Sequence, residues 1–364
     1  MKILLVSPLP LPAGGIATWT KGYLASKQVE SNNIDIVNTA VKGSRVNNFT
    51  KKNLLDEISR FLLILKEMRK KLRLNNPDIV HLNTSCSKFG MIRDILCLSL
   101  VKRSKTKIVL HCHCDTNYMV KDKLSKFIFR KMCIKSDKIL VLNLSSYKHV
   151  KTLTGKKSII IPNFIKEDII DNKYIKKVSN EIKNILFVGH IVKTKGCDDI
   201  ISIAKKMPKK KFTMIGYLSD EINDIYKPEN VEYIGEVNHD EVIKYMKNYD
   251  LFLFPTHTEG FPNVVLEAMA CGMPIISTNV GAIPDMLETN GGIIVEPRDI
   301  KSIKSAINEL EDKELRLNMS NWNRKKVEEK YTLHKVINEI FLEYENILSE
   351  DEYENIIKDN IQNL

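Results

Sequence analysis

The chain has 364 residues, 43% of them hydrophobic, and 56 Lys and Arg against 45 Asp and Glu, a net charge of +11. This length allows two domains with separate cores, and the longest apolar run, residues 61–65, is far shorter than a membrane-spanning helix requires. Seven cysteines without regular spacing indicate reduced thiols in a cytosol rather than a disulfide framework.

Short apolar runs alternate with amphipathic stretches along the chain. We predict strands at 2–6, 78–81, 107–111, 138–142, 158–161, 184–188, 211–215, 231–234, 251–254, 274–277 and 292–295. Helical patterns include 54–74, 121–138, 196–207, 239–248 and 337–348. Strands that alternate with helices of this length indicate βαβ units and parallel sheets. The predicted fold class is therefore α/β, with two Rossmann-like domains.

The two sets of strands divide the chain. We predict a first domain at residues 1–166, a second domain at 167–335 and a C-terminal helical segment at 336–364. No internal repeat or low-complexity linker interrupts this division.

Charge is distributed unevenly between the two halves. Residues 1–170 hold 31 Lys and Arg against 12 Asp and Glu, a net charge of +19, whereas the remainder carries −8. This asymmetry suggests that the first half meets an anion. Two basic amphipathic stretches, 54–74 and 121–138, can lie on an anionic membrane surface; alternatively, their apolar faces pack on a sheet and the lysines are solvated. We predict no nucleic-acid partner, because the spacing of zinc fingers and helix-turn-helix motifs is missing.

Two carboxylates stand eight positions apart across a predicted helix start. An apolar strand ends at Pro255, and Pro262 suits the first turn of a helix. Glu259 therefore lies in the loop, and Glu267 lies a little over one turn inside the helix, about 7 Å from its mouth. Because a helix mouth binds anions, a diphosphate there would leave a ribose diol near Glu267 and a sugar hydroxyl near Glu259.

This segment resembles the E-x7-E signature of retaining glycosyltransferases of family four, the glycosyl transferases group 1. The match includes E-G-F-P at 259–262 and L-E-A-M-A at 266–270, and it continues through Ile275, Thr278 and Gly281. The resemblance implies the GT-B fold, in which two Rossmann-like domains face each other across a cleft. It also implies that the C-terminal helix crosses back to the first domain.

The second domain opens with a strand, Gly189, and a Lys-Gly pair at Lys195. Glycine lets the backbone approach an anion and lysine supplies a point charge, although the pattern alone is also typical of a solvated lysine. In the resembled family this lysine binds the diphosphate. His190 stands where the family commonly has Arg, and a neutral His offers one donor in place of a charged fork.

The strand at 107–111 continues into His111-Cys-His113-Cys-Asp115, which invites a zinc interpretation. However, strand alternation puts the two His on one face and the two Cys on the other, and no second Cys/His pair follows at finger spacing. In the resembled family the His at such a strand end enters the active-site cleft, and His113 matches it. Asp115 and Asn83, at two strand ends, are predicted to contact the acceptor.

The resemblance implies an enzyme that transfers a sugar from a nucleotide-sugar donor to an acceptor hydroxyl, with retention of anomeric configuration. It assigns Lys195 to the diphosphate, Glu267 to the ribose and Glu259 to the sugar hydroxyls. The predicted catalytic residues are His113, Glu259 and Lys195, and the predicted donor-binding residues are Gly15, Gly189, His190, Lys195, Glu259, Gly260, Phe261 and Glu267. No Asp-x-Asp motif stands at a donor-like strand end, so we predict no divalent metal and no cofactor.

The basic first half favours a saccharide or lipid-linked saccharide acceptor in capsule, O-antigen or exopolysaccharide assembly. We therefore expect a cytoplasmic protein that is peripheral at the inner face of the cytoplasmic membrane. Two alternatives stay open. One is a GT-B sugar-nucleotide epimerase, which should lack this E-x7-E context, and the other is a non-catalytic membrane-surface scaffold that keeps the fold.

Overall fold

The computed structural model describes residues 1–10, 14–40, 54–102, 106–170 and 176–362, and the side chains of 54–56 and 350–362 lie outside that description. The chain divides into two compact units. Unit 1 comprises Met1–Asn163 and Leu333–Leu364, and unit 2 comprises Phe164–Thr332. The sequence-based boundaries lie three residues further along the chain in each case.

Unit 1 is built on a six-stranded parallel sheet. Its strands are β1 (Lys2–Ser7), β2 (Asn33–Asn38), β3 (Ile79–Thr84), β4 (Lys107–Cys112), β5 (Lys138–Val141) and β6 (Ile159–Ile160). They lie in the order β2-β1-β3-β4-β5-β6. β3 and β4 pair in register as far as Thr84 with Cys112, so their carboxyl ends meet at one edge of the sheet.

In the described part of unit 1, seven helices connect these strands. They are α1 (Gly15–Leu24), α2 (Lys27–Glu30), α3 (Leu54–Asn75), α4 (Lys88–Ser99), α5 (Thr116–Met119), α6 (Lys123–Lys135) and α7 (Leu144–Thr154). α3 shows why the basic stretches are helical: Ile64 and Met68 are buried at one-turn spacing, while Leu62 and Leu63 on the other face are exposed.

Unit 2 contains a second six-stranded parallel sheet. Its strands are β7 (Asn184–Val188), β8 (Lys211–Ile215), β9 (Val231–Gly235), β10 (Leu251–Phe254), β11 (Ile275–Thr278) and β12 (Ile293–Val295). Their order is β12-β11-β10-β7-β8-β9. All four residues of β10 are buried, as expected for a central parallel strand that is covered on both faces.

The helices of unit 2 follow its strands. They are α8 (Cys197–Lys206), α9 (Asp220–Asn223), α10 (His239–Asn248), α11 (Asn263–Ala270), α12 (Ile283–Leu287), α13 (Ile300–Glu309) and α14 (Lys313–Lys330). A capping box starts α10, where the Asn238 side chain accepts the backbone N–H of Glu241 and the Glu241 side chain accepts that of Asn238.

The C-terminal helix α15 (Leu333–Gln362) belongs to unit 1. Its apolar stripe faces the core of that unit: Tyr344 is fully buried, and the Phe341 ring stacks on Tyr23 with the ring centres 6.0 Å apart. Among the residues that the structure describes, no helix is both long enough and apolar enough to cross a bilayer.

The predicted elements of unit 2 agree best with the structure. The strands at 184–188, 211–215 and 251–254 and the helix at 239–248 are confirmed residue for residue. β2 was missed. It is an edge strand in which Asn, Asp and Asn interrupt the apolar residues and only Val37 is buried, so it has no continuous apolar run.

Candidate functional site

The candidate site in unit 2 lies at the carboxyl edge of its sheet, between β7 and β10. These strands pair with each other, yet the chain leaves them in opposite directions, toward β8 and toward β11. Ligands of open parallel sheets bind at such a reversal, because the two following loops diverge there. The lysine motif follows β7 and the glutamate motif follows β10.

Two glycines shape the loop after β7. Gly189 and Gly196 have φ values of +147° and +71°, in the region that favours glycine. A Cβ on Gly196 would lie 2.0 Å from the carbonyl oxygen of Pro255. The glycine after Lys195 is therefore required by the close approach of the two loops.

Lys195 and Glu259 form an ion pair between these loops. Their side chains are 27% and 13% exposed, and the ammonium lies 5.8 Å from the centre of the Phe254 ring. Burial raises the pKa of Glu259, while Lys195 and a hydrogen bond from Thr256 oppose the rise. The structure thus brings together the two predicted catalytic residues of unit 2.

A second contact joins the same loops. His257 Nε2 lies 2.8 Å from Asp199 Oδ2, and the backbone N–H of His257 donates to the Thr194 carbonyl at 2.9 Å. Burial raises the pKa of Asp199, and the hydrogen bond to His257 opposes that rise. We call Asp199 and His257 the loop brace. Sequence reasoning missed it because 58 residues separate its two members.

Asp198 joins the loop brace in a group whose candidate ligand atoms lie within 4.8 Å of one another. Within the described ranges, it is the one set of three or more His, Cys, Asp or Glu side chains with that spacing. Asp198 and Asp199 lie in the first turn of α8, where the helix dipole favours acidic side chains. The group therefore has a structural explanation: Asp198 is an acidic residue at a helix start, and Asp199 and His257 form the loop brace.

Glu267 is the fifth residue of α11, and Pro262 occupies the N-cap position of that helix. The Glu267 carboxylate lies 3.0 Å from His239 Nε2 at the start of α10, and this hydrogen bond raises the pKa of His239. The Glu267 side chain is 19% exposed. His239 is a neighbour of the site that the spacing of the two glutamates does not reveal.

Gly281 holds the backbone beside Glu259. The N–H of Ala282 donates to the Gly260 carbonyl at 2.9 Å, and a Cβ on Gly281 would lie 2.3 Å from the Glu259 carbonyl oxygen. Phe261 is buried. The backbone at Gly260 and Phe261 is thus fixed at the mouth of α11.

His190 is exposed, and its ring lies 6.3 Å from that of Tyr217. Gly216, next to Tyr217, makes the close approach possible, since a Cβ there would lie 2.0 Å from the Gly189 carbonyl oxygen. Tyr217 follows β8 and was not predicted as a site residue.

In unit 1, His113 lies just beyond β4 in a cluster of three histidine rings. Its ring centre is 4.0 Å from that of His111, which is 5.4 Å from that of His81. Trp19 packs against all three rings. Burial lowers the pKa of His81 to about 4 and that of His113 to about 3, and it holds the pKa of His111 well below the ordinary value. All three rings are therefore neutral at pH 7.

Asn83 is buried beside these rings. Its Oδ1 lies 3.0 Å from Nε2 of His81 and 3.0 Å from Nε2 of His113, and its Nδ2 donates to Ser7 Oγ at 2.8 Å. Its amide is thus bonded on both sides within unit 1, and its predicted contact with an acceptor stays a prediction.

Asp115 and Gly15 both stand at helix starts. The Asp115 carboxylate accepts the backbone N–H groups of Asn117 and Tyr118, at 2.9 and 3.3 Å, and the Ser145 hydroxyl at 3.2 Å. Gly15 opens α1, and a Cβ there would meet nothing within 4 Å, so local packing does not require a glycine. The roles predicted for both residues stay predictions.

Comparisons with known sequences agree with the motifs. Residues 169–326 match the family described as glycosyl transferases group 1. The chain is 31% identical over 260 residues to the capsular polysaccharide biosynthesis glycosyltransferase CapM of Staphylococcus aureus, covering 68% of this chain and 65% of that protein. It is 28% identical over 270 residues to an uncharacterised 41.2 kDa protein in the cps region of Klebsiella pneumoniae, covering 70% and 74%.

Solved structures agree with the fold. The sucrose-phosphate synthase of Thermosynechococcus elongatus superposes with a TM-score of 0.79 at 14% identity, covering 96% of this chain and 99% of that one. HepE of Anabaena, in complex with UDP, superposes with a TM-score of 0.74 at 13% identity, covering 95% and 100%. These likenesses confirm the predicted GT-B fold.

Proposed function

Because the chain carries a glycosyl transferases group 1 domain on a GT-B fold, we propose that it transfers a sugar from a nucleotide-sugar to the hydroxyl of a saccharide acceptor, with retention of anomeric configuration. Its activity as a glycosyltransferase follows from the family, and the donor, the stereochemistry and the acceptor are the proposal.

The observation that carries the proposal is the ion pair of Lys195 and Glu259 beside the mouth of α11. A diphosphate at this mouth would meet the positive end of the helix dipole and the ammonium of Lys195. Its phosphate oxygens would replace the Glu259 carboxylate as the partner of Lys195. Glu259 would then be released to accept hydroxyl groups of the sugar, which exchanges one set of charged contacts for another.

In this arrangement Glu267 would bind the ribose diol, and His239 would hold its carboxylate in place. The HepE structures with UDP and with UDP-glucose support a nucleotide-sugar donor. The N-acetyl-α-D-glucosaminyl L-malate synthase of Bacillus anthracis, 25% identical over 313 residues, supports transfer to a hydroxyl-bearing acceptor.

The reaction then depends mainly on electrostatic stabilisation. The bond from the anomeric carbon to the diphosphate oxygen breaks, the sugar becomes oxocarbenium-like, and Lys195 and the helix dipole stabilise the leaving diphosphate. The acceptor oxygen forms its bond on the same face, and its proton passes to the leaving phosphate oxygen. This route assigns the leaving-group charge to the lysine and the helix, and it uses no divalent cation.

A lipid-linked acceptor at an anionic membrane surface is supported by the outer face of α6. Leu124 and Phe127 are 61% and 57% exposed there. They lie among exposed Lys126, Arg130 and Lys131, and the Lys131 ammonium lies 4.6 Å from the centre of the Phe127 ring. Exposed apolar side chains among cations are typical of helices that lie in the headgroup region of anionic bilayers. The likeness to CapM supports a place in capsular polysaccharide assembly.

The proposal is tested by donor binding and transfer across UDP-, GDP- and ADP-sugars. We expect one nucleotide to bind, and Lys195→Ala and Glu267→Ala each to weaken it by roughly 30-fold or more, since each removes a charged contact. Lys193→Ala is the matched control, because Lys193 is exposed in the same turn as Lys195. Binding of no nucleotide-sugar, or equal binding by all variants, would refute the proposal and favour the scaffold alternative.

A further inference from the structure

A chain of hydrogen bonds crosses the buried core of unit 1, and the direction of every bond in it can be assigned. The chain begins at Thr20, whose hydroxyl donates to the Ile16 carbonyl at 2.8 Å. A hydroxyl has one proton, so Thr20 must accept in its 2.6 Å contact with Ser7 Oγ. Ser7 therefore donates to Thr20, and its own proton is used.

The amide of Asn83 is fixed by this result. Ser7 can only accept in its 2.8 Å contact with Asn83, so the Asn83 atom that faces it is the donor, Nδ2. The other end of the amide, Oδ1, must then face the two histidines. This assignment needs no view of the hydrogen atoms, because each step follows from a count of available protons.

The protonation pattern of two imidazole rings follows in turn. Oδ1 of Asn83 can only accept, and it lies 3.0 Å from Nε2 of His81 and 3.0 Å from Nε2 of His113. Both rings must carry their proton on Nε2. A neutral ring has one proton, so Nδ1 of each is left as an acceptor.

The far end of the chain agrees with this assignment. Nδ1 of His81 lies 2.6 Å from the Tyr344 hydroxyl, which can donate to it. The Tyr344 oxygen then accepts from the Tyr23 hydroxyl at 3.2 Å. The bonds from Tyr23 to Ile16 thus form one consistent set, with Asn83 at its centre.

We infer that Asn83 is the positioning residue that holds His113 in its Nε2–H tautomer and so presents Nδ1 of His113 as a hydrogen-bond acceptor. In this role Asn83 acts through His113. The consequence for catalysis rests on the proposed function. A nitrogen of His113 that can only accept a hydrogen bond favours a substrate hydroxyl, which has a proton to donate, over a carbonyl or phosphate oxygen, which has none. Burial lowers the pKa of His113 to about 3, so the ring keeps this form at neutral pH.

The tautomer can be measured directly in the full chain labelled with ¹⁵N-histidine, by two-bond correlation of ring nitrogens with ring protons at pH 7. We expect His81 and His113 to show protonated Nε2 and bare Nδ1. In Asn83→Ala we expect His113 to become a mixture of tautomers. Ser7→Ala is a second variant that frees the amide to rotate while removing one oxygen atom, and it should give a partial shift of the same kind.

Tyr344→Phe is the matched control, because it removes another buried hydroxyl from the same chain and leaves the contact of Asn83 with His113 in place. Its His113 spectrum should match wild type. Protonated Nδ1 on His113 in the wild-type protein, or an unchanged spectrum in folded Asn83→Ala, would overturn the inference.

Transfer activity gives the second readout. We expect Asn83→Ala to lower kcat by roughly 10- to 100-fold, with donor KM little changed, since the donor contacts of unit 2 remain. If the spectra behave as expected while no sugar is transferred by any variant, the tautomer assignment stands and the proposed function fails. If sugar is transferred and the His113 spectrum is unchanged in Asn83→Ala, the proposed function stands and the tautomer assignment fails.

Discussion

The sites of the two units use opposite electrostatics. In unit 2 the candidate side chains form pairs that contain charged groups: Lys195 with Glu259, and Glu267 with His239. In unit 1 they are neutral and hydrogen-bonded, with His113 held by Asn83. Charged pairs near solvent can exchange partners when a phosphate enters. A buried neutral network keeps one arrangement because every rearrangement would leave a polar atom without a partner.

This difference predicts that the two units respond to different changes in solution conditions. Salt and anions should act first on the loops of Lys195 and Glu259 in unit 2, because exposed charges are screened. Acid should act first on unit 1, because its buried rings resist protonation.

The largest expected effect is acid destabilisation of unit 1. The ordinary His pKa is 6.5, and in the folded chain it falls to about 4 for His81 and about 3 for His113. As the pH falls below 6.5, unfolded rings take up protons that the folded rings do not, so the free energy of unfolding decreases until the folded pKa is reached. We expect a loss of about 2 kcal/mol per ring between pH 7 and pH 5, measured by urea unfolding.

His111→Phe provides the control for this effect. Neither ring nitrogen of His111 has a hydrogen-bond partner among the residues that the structure describes, and the ring is fully buried. A phenyl ring should therefore be tolerated at pH 7 and should reduce the loss at pH 5 by roughly one third. An equal loss in both proteins would show that His111 does not contribute to it.

The next effect concerns the loop brace. Asp199→Asn should raise the donor KM about 10-fold, because it weakens the contact that holds the loop of Lys195 beside the loop of Glu259. Asp198→Asn removes the same charge from the same helix turn without touching that hydrogen bond, and it should change KM less than 3-fold. Steady-state kinetics on both variants separate the effect of the loop brace from that of the helix-start charge. An equal change in KM in the two variants would contradict a role for the loop brace.

The smallest effect concerns the outer face of α6. Phe127→Ser should reduce binding to vesicles that contain anionic phospholipid by about 5-fold, since a half-exposed ring would no longer enter the headgroup region. Tyr226→Ser is the control, because Tyr226 of unit 2 is also exposed and lies under a lysine, 5.5 Å from the Lys205 ammonium. Vesicle sedimentation that shows the same change in both variants would contradict a specific face.

Sequence reasoning succeeded where one segment contains its own evidence. The strand at 251–254 is a continuous apolar run, and the stretch from Pro255 to Glu267 contains both carboxylates and the helix start between them. Local patterns of this kind predict local structure. They also identified the C-terminal apolar stripe, although its partner in the core became visible only in three dimensions.

What the sequence could not reveal are contacts between distant segments. The loop brace joins residues 58 positions apart, and no motif links them. The hydrogen bond from Asn83 to Ser7 joins residues 76 positions apart. From the sequence alone, the polar run at the end of β3 is therefore equally consistent with a binding surface. β2 shows the third limit, since an edge strand in which only Val37 is buried lacks a strong pattern.

The Tyr344 hydroxyl also has a consequence for synthesis on the ribosome. It completes the polar core of unit 1 by donating to His81, 263 residues earlier in the chain. When the first 163 residues have emerged, their core still lacks that donor and the apolar stripe of α15. Unit 2 is translated in full before either arrives. Unit 1 therefore cannot complete its packing until α15 has been made, after the whole of unit 2.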